Sequence, residues 1–118
     1  MRPLAAAALA CLLAGPPAAA NSFDGAWGIQ VVTERGQCDP VYRYYIVIQN
    51  NAVHVRSMMG EVSPEAAGRI NPNGRIDTRI GAPEDPVGIR GKLAGAAGAG
   101  SWTAPARGCA GRWVAERR

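Results

Sequence analysis

The three tryptophans of this chain all occur in Gly-x-Trp triplets, at Gly25–Trp27, Gly100–Trp102 and Gly111–Trp113. The first triplet opens an alternating apolar segment near the start of the chain, and the other two lie close to Cys109. A strand start that recurs in the final strands predicts a small antiparallel barrel whose last strand pairs with its first. The triplets are therefore interpreted as part of barrel closure rather than as a recognition motif.

The first 20 residues have the organisation of a secretion signal. Arg2 gives a short basic start, and residues 4–13 are apolar but shorter than the roughly 20 residues that span a bilayer. Ala18–Ala20 supplies small residues at a cleavage site. We therefore predict a signal peptide over residues 1–20 and a single domain over residues 21–118, exported to the periplasm or secreted. Cys11 faintly resembles a lipoprotein cysteine, but the apolar run before it is short, so we expect it to leave with the peptide.

Two cysteines, Cys38 and Cys109, remain in the predicted domain. An even number of cysteines in an exported chain predicts a disulfide, and with two of them only one intramolecular pairing exists. Once both are bridged, His54 is the one histidine and no free thiol is left. The residues therefore indicate neither a zinc site nor a catalytic constellation, and no metal or cofactor is predicted.

Alternation of apolar and polar side chains with a period of two runs through most of the chain, and no segment keeps a helical period. The turn signals Asn50-Asn51 and Asn71–Gly74 separate alternating segments. This pattern predicts an all-β sandwich or barrel. Eight strands are predicted, over residues 25–34, 41–49, 52–58, 66–71, 74–80, 87–94, 98–104 and 110–117.

Short connections favour an antiparallel up-and-down order, in which the eighth strand runs antiparallel to the first. Cys38 lies just past the predicted end of the first strand, and Cys109 lies just before the predicted start of the eighth. Their pairing is what closure of a barrel predicts. The cysteines and the strand count thus support the same eight-stranded barrel by separate routes.

The inward side chains of such a barrel either fill it or line a small apolar pocket, because eight strands leave room for either. Short strands and a single Phe favour a filled core. Tyr42 and Tyr44 carry hydroxyls that need partners if buried, so they are the best candidates for a pocket mouth. The candidate ligand pocket consists of Tyr42, Tyr44, Trp27, Trp102 and Trp113.

The chain is basic, with a formal net charge of +4. On the outward parity of strands five and six lie Arg75, Arg79, Arg90 and Lys92, which form one patch if these strands are neighbours, partly neutralised by Asp77. An ordinary solvated face is the simpler interpretation, and weak attraction to anionic surfaces is the alternative. Nucleic-acid binding is not indicated, because aromatic residues are not interleaved with the basic ones.

Phe23–Trp27, Cys38, Tyr42–Tyr44, Gly98–Trp102 and Cys109–Arg118 together resemble a group of small exported bacterial β proteins of unassigned function. More loosely, Gly25-x-Trp27 is similar to the start of lipocalin-like barrels. The length and the single disulfide are similar to those of periplasmic barrel inhibitors of secreted metalloproteases. The later lipocalin motifs are not matched, and the second-cysteine spacing differs from that of the inhibitors. The resemblance implies export and a compact lipocalin-like barrel, without an activity.

These observations predict an exported, monomeric, non-enzymatic β-barrel that binds a small apolar ligand or the surface of a protein partner. The alternative is a protease inhibitor that acts through the segment Asn21–Asp24 or through a loop. An enzyme is the least favoured class, because nothing in the sequence identifies a general acid and base pair.

Overall fold

The computed structural model of the protein describes residues 23–118. The predicted signal peptide and Cys11 lie outside the described residues. The described chain forms eight strands, β1 (Gly25–Arg35), β2 (Val41–Gln49), β3 (Ala52–Arg56), β4 (Gly68–Arg69), β5 (Arg75–Ile80), β6 (Val87–Ala94), β7 (Ala97–Ala104) and β8 (Cys109–Arg117). A 3-10 turn, Pro105–Arg107, connects β7 to β8.

The strands form one antiparallel sheet in the order β4-β3-β2-β1-β8-β7-β6-β5. The first and last strands are neighbours, so that Val31 lies between Tyr42 of β2 and Trp113 of β8. This confirms the predicted eight-stranded up-and-down barrel and its closure between β1 and β8. The sheet ends at β4 on one side and at β5 on the other, which leaves the barrel nearly closed. The break in the backbone ladder between these two strands is termed the β4–β5 gap.

The predicted disulfide is also confirmed. Cys38, in the loop between β1 and β2, is bonded to Cys109, the first residue of β8, and their Cα atoms are 6.2 Å apart. The bridge therefore ties the end of the first strand to the start of the last, at the point where closure of the barrel requires it.

Three strands are shorter than predicted, β5 by one residue and β3 and β4 by two or more. β3 ends at Arg56 because a tight turn follows, in which the N–H of Gly60 donates to the carbonyl of Ser57 at 2.9 Å. β4 contains only Gly68 and Arg69, although Ser63 and Ala67 each donate a backbone hydrogen bond to β3. Between these two contacts the chain leaves the ladder at Pro64, which has no N–H to donate.

The end of the barrel at which the described chain begins is filled, and it is termed the floor. Its buried side chains are Phe23, Trp27, Ile48, Ile70 and Leu93. Arg117, from the end of β8, lies over the Trp27 ring at 4.8 Å, and its Nη1 donates to the carbonyl of Asp24 at 2.7 Å. The floor is therefore closed by apolar packing and by contacts between the two ends of the described chain.

The connection between β2 and β3 also belongs to the floor. Asn50 and Asn51 both have positive φ angles, 52° and 64°, as a two-residue hairpin turn with the twist of the strands requires. Oδ2 of Asp24 accepts the N–H of Asn50 at 2.9 Å. The first described residues are thus fixed to this turn.

Candidate functional site

The three tryptophans of the candidate pocket are core residues. Trp27, Trp102 and Trp113 are all buried. Each indole N–H donates to a backbone carbonyl, that of Phe23 at 2.8 Å, Val32 at 3.1 Å and Arg90 at 3.1 Å, respectively. Their polar groups are satisfied within the barrel, so none of them leaves a donor for a ligand, and Trp102 and Trp113 also fix strands to one another.

The last two Gly-x-Trp triplets interlock across β7 and β8. Gly100 pairs directly with Trp113, and Trp102 pairs directly with Gly111. A Cβ on Gly100 would lie 2.7 Å from Cε2 of Trp113, so the indole occupies the space that a side chain at Gly100 would need. Each tryptophan is thus registered against the glycine of the other triplet, which is a structural reason for the repeated spacing.

Tyr42 and Tyr44 lie on the inner wall at the end of the barrel opposite the floor, where Val31 lies between Tyr42 and Trp113, and they are apart from Trp27 in the floor. Both share a face of β2 with Ile48, which is 1% exposed, yet Tyr44 is 46% exposed. On the neighbouring strand, Val55 is opposite Ile46 and is 41% exposed. The inner wall of β2 and β3 is therefore buried near the floor and open at the far end. This open end, lined by Tyr42, Tyr44 and Val55, is termed the mouth.

The two mouth tyrosines form a stacked pair. Their ring centroids are 6.3 Å apart, and the ring planes are inclined by 18°. The hydroxyl of Tyr42 accepts the N–H of Asp39 at 3.2 Å, which fixes its ring against the loop between β1 and β2. No residue of the described chain hydrogen-bonds the hydroxyl of Tyr44, which leaves one polar group on this apolar wall available to a bound molecule.

An ion pair with two hydrogen bonds to one carboxylate oxygen lies at the rim of the mouth. Arg107, in the turn before β8, donates from Nη2 and Nε to Oδ2 of Asp85 at 2.7 and 3.1 Å. The hydrogen bond and the charge of Asp85 raise the pKa of Arg107, and smaller effects of Tyr42 and Tyr44 act in the same direction. The guanidinium group thus stays cationic throughout the physiological pH range. It lies near the two tyrosines.

The basic patch predicted on β5 and β6 does lie on neighbouring strands. Arg75 is directly opposite Lys92, and Asp77 is opposite Arg90, with Oδ1 of Asp77 3.5 Å from Nε of Arg90. Arg79 lies further along β5, opposite a glycine. The four basic residues of the patch are exposed, and one of them is engaged by Asp77.

Two open concavities of the described chain lie beside strand edges and loops. One, of about 400 Å³, runs along the β4–β5 gap beside Arg69 and Arg75. The other, of about 370 Å³, lies beside the irregularity of β1 at Glu34 and Arg35. Neither is lined by Tyr42 or Tyr44.

His54 lies on the outward face of β3, where its Nδ1 is 2.9 Å from the carbonyl oxygen of Ser63. Within residues 23–118, no three His, Cys, Asp or Glu side chains come together as a metal site. In the same part of the chain, no helix is long and apolar enough to cross a membrane.

Several residues at the mouth were not singled out from the sequence. Alternation along β3 predicts that Val55 faces inward, but alternation carries no information on how far the interior is filled. Asp85 and Arg107 come from two loops that are 22 positions apart, and no local pattern links them. Met58 and Met59, at the tip of the turn after β3, are fully exposed, 102% and 88%.

Comparison of the chain with protein-family models, with curated proteins and with solved structures gives no match. The resemblance to small exported bacterial β proteins therefore stays a prediction.

Proposed function

We propose that this chain is a non-enzymatic binding protein and that its mouth binds an apolar group. The observation that carries the proposal is the exposure of Tyr44 and Val55 on the inner face of the barrel. Side chains on the same face nearer the floor are buried. An inward wall that is left open exposes apolar surface to water, and that surface is available for burial by a bound molecule.

The shape of the mouth limits what it accepts. Because the floor is filled, a ligand contacts the upper wall and does not enter a deep internal chamber. The site therefore suits an aromatic or aliphatic group that is half enclosed, on a small molecule or projecting from a protein partner. Tyr42 and Tyr44 suit this role, since their rings provide apolar contact and their hydroxyls provide hydrogen bonding.

The neighbouring charge adds a preference. Arg107 lies near the two tyrosines and carries a permanent positive charge, partly neutralised by Asp85. An apolar molecule with an anionic group is thus favoured over a cationic one of the same shape. Screening by salt reduces this preference, because the guanidinium group is exposed.

The anionic dye 8-anilinonaphthalene-1-sulfonate tests the proposal, because it combines an apolar ring system with one negative charge. We expect its fluorescence to rise on addition of the protein. We expect Tyr44→Ser to weaken dye binding about eightfold, since loss of about 50 Å² of apolar contact corresponds to about 1.2 kcal/mol. Arg107→Gln should weaken it less, and only at low salt.

The adjacent Tyr45 provides the matched control. It is 43% exposed, nearly as much as Tyr44, but it lies on the outward face, where the guanidinium group of Arg118 lies over its ring. We expect Tyr45→Ser to leave dye binding unchanged. Equal losses for Tyr44→Ser and Tyr45→Ser, or no binding by the unaltered protein, would rule out the mouth as the site.

A protease inhibitor is the second candidate, and the turn Ser57–Gly60 favours inhibition through a loop. Met58 and Met59 project from this turn with fully exposed side chains, a shape that suits the cleft of a protease. Inhibition through the segment Asn21–Asp24 is less favoured, because Phe23 is buried in the floor and Asp24 is bound to Asn50. Asn21 and Ser22 lie outside the described residues.

Digestion of casein by secreted proteases of the same cell distinguishes the two functions. Slower digestion with the unaltered protein, but not with Met58→Ser combined with Met59→Ser, would support inhibition through the turn. Equal digestion with and without the protein would refute it and would leave the mouth proposal intact.

We also propose that the protein is exported and works as a monomer. The Cys38–Cys109 bridge supports export, since such bridges persist in oxidising compartments. Cell fractionation of the full-length chain, followed by size-exclusion chromatography, tests both parts. Recovery in the cytoplasm with free thiols would contradict export, and elution as a dimer would contradict the monomer.

A further inference from the structure

Two arginines line the concavity of about 400 Å³ between the turn after β4 and the start of β5. Both arginines are exposed, and Nη2 of Arg69 donates to the carbonyl of Asn50 at 3.5 Å, which orients the guanidinium group without neutralising it. This space is termed the arginine concavity, and its lining residues are Arg69, Ile70, Asn71, Pro72, Arg75 and Asp77.

A hydrogen-bonded turn fixes the side of the arginine concavity that carries Asn71 and Arg75. The N–H of Asn71 donates to the carbonyl of Arg75 at 2.9 Å, and the N–H of Gly74 donates to the carbonyl of Asn71 at 2.7 Å. Oδ1 of Asn71 accepts the N–H of Asn73 at 3.3 Å. Within residues 23–118, Nδ2 of Asn71 donates to no residue, so this amide group has a donor for a bound molecule.

The charges around the arginine concavity do not balance. Arg75 is directly opposite Lys92 on β6, and like charges in this arrangement destabilise a sheet. Within the described part of the chain, Arg69, Arg75 and Lys92 take part in no ion pair. Asp77 also lines the concavity, but its Oδ1 is 3.5 Å from Nε of Arg90. Three cations are thus accompanied by one carboxylate that is already engaged, which leaves a positive excess.

The donors of the arginine concavity favour an anion with several oxygens and more than one charge. A guanidinium group binds phosphate or carboxylate oxygens through two parallel hydrogen bonds. A carboxylate offers one charge and two oxygens, whereas a phosphomonoester carries about −1.5 to −2 charges and three terminal oxygens at neutral pH. Two guanidinium groups and one amide match the phosphate better. The volume lies within the range of about 300–1,000 Å³ of ligand sites, so part of the attached molecule also fits.

We propose that the arginine concavity binds the phosphate group of a phosphomonoester. The guanidinium groups of Arg69 and Arg75 bind its charged oxygens, and Nδ2 of Asn71 donates to a further oxygen. The bound dianion removes the repulsion between Arg75 and Lys92. The phosphate belongs to a soluble molecule or to a lipid headgroup, because both present the same group. This site is separate from the mouth and does not depend on the function proposed there.

Inorganic phosphate is the simplest probe, and NMR of the amides measures its binding. We expect saturable shift changes for residues 69–75 and for Lys92, and no such changes with sodium chloride at equal ionic strength. Arg69→Gln and Arg75→Gln should each weaken binding about fivefold, the effect of a strong exposed ion pair. Asp77→Asn should strengthen binding about fivefold, because it removes a negative charge from the concavity. A gain of this kind is not a result of misfolding.

Arg79→Gln is the matched control. Arg79 lies on the same face of β5 as Arg75 and is also exposed, but it is opposite Gly88 and does not line the arginine concavity. The variant changes the net charge as much as Arg75→Gln does. We expect it to leave phosphate binding unchanged, because salt screens the attraction of a distant exposed charge.

Two further measurements distinguish the sources of the phosphate. One is an NMR titration with glycerol phosphate, and the other is sedimentation with phosphatidylcholine vesicles that do or do not contain phosphatidate. Binding of glycerol phosphate without sedimentation would support a soluble ligand. Sedimentation that requires phosphatidate, and that is lost in Arg75→Gln but kept in Arg79→Gln, would support a lipid headgroup.

Three results would overturn the proposal. These are equal shift changes with phosphate and with chloride, equal losses for Arg75→Gln and Arg79→Gln, and weaker phosphate binding by Asp77→Asn. Dye binding at the mouth is measured on Arg75→Gln and should be unchanged, so that failure of the phosphate proposal is distinguishable from failure of the mouth proposal.

Discussion

Gly91 and Gly100 lie side by side on β6 and β7 beneath the indole of Trp113. A Cβ on Gly91 would lie 2.5 Å from Cζ2 of this ring, and a Cβ on Gly100 would also clash with the carbonyl oxygen of Arg90. The side chain that fills the space between the strands is therefore supplied by β8. At the scale of the residue, Gly100 and Gly91 are required by a tryptophan that lies one strand and two strands away, respectively.

We predict that Gly100→Ala destabilises the protein by about 3 kcal/mol, the upper range for inserting atoms into a packed core. The added methyl group meets backbone as well as the indole, so it cannot be relieved by a side-chain rotation alone. The difference in free energy of unfolding, measured by urea denaturation, checks this value.

Gly88→Ala is the matched control, in the same sheet. Its Cβ would meet only the hydroxyl of Thr103 at 3.2 Å, and Gly88 does not have a positive φ. We expect this variant to be neutral or up to about 1 kcal/mol more stable, because alanine loses less backbone entropy than glycine on folding. Similar losses for the two variants would contradict the role given to Trp113.

At the scale of the element, the bridge between Cys38 and Cys109 joins two strands that are far apart in sequence and adjacent in the sheet. It spans 71 positions of the chain. Removal of the bridge therefore releases the loop between β1 and β2 from the start of β8 and restores a long open loop to the unfolded state.

We predict that Cys38→Ser with Cys109→Ser lowers the free energy of unfolding by about 4 kcal/mol, the loop-closure value for a loop of this length. Urea denaturation of the oxidised protein and the double variant measures the difference. A loss below about 1 kcal/mol would show that the ladder between β1 and β8 closes the barrel without help from the bridge.

Most element bounds were predictable, because alternation and turn residues are local signals. The bounds of β2 and β6 agree with the predicted ones, and Asn50-Asn51 forms the expected turn. The end of β3 was not predictable in this way. Ser57 and Met58 continue the alternation, but Gly60 adopts a φ of 90° and closes a turn around them. A pattern of side chains does not report such a backbone reversal.

At the scale of the whole molecule, the backbone hydrogen bonds between strands are distributed unevenly around the circumference of the barrel. β1 and β8 have a full ladder on both sides, whereas β4 has a two-residue ladder on one side. The sequence predicts the neighbours of each strand from chain order, but not whether each pair is close enough for hydrogen bonds. The missing ladder between β4 and β5 depends on that distance, and the open mouth depends on how far side chains fill the interior, so neither was predictable.

We predict that protection from native-state hydrogen exchange differs between strands in the same way. Amides of β1 and β8 should exchange only with global unfolding, whereas those of β4 and of residues 57–67 should exchange through local opening. Residue-resolved exchange measured by NMR checks the order. Protection of β4 equal to that of β8 would contradict it.

The contacts between Arg117 and Asp24 have a practical consequence for attaching the molecule to a surface or to a fusion partner. Both ends of the described chain lie at the floor, because an even number of antiparallel strands returns the chain to the side where it started. A tether at either end, whether a fusion partner, a bead or a sensor surface, is therefore attached opposite the mouth. A protein immobilised in this way faces the solution with Tyr44, Val55 and Arg107.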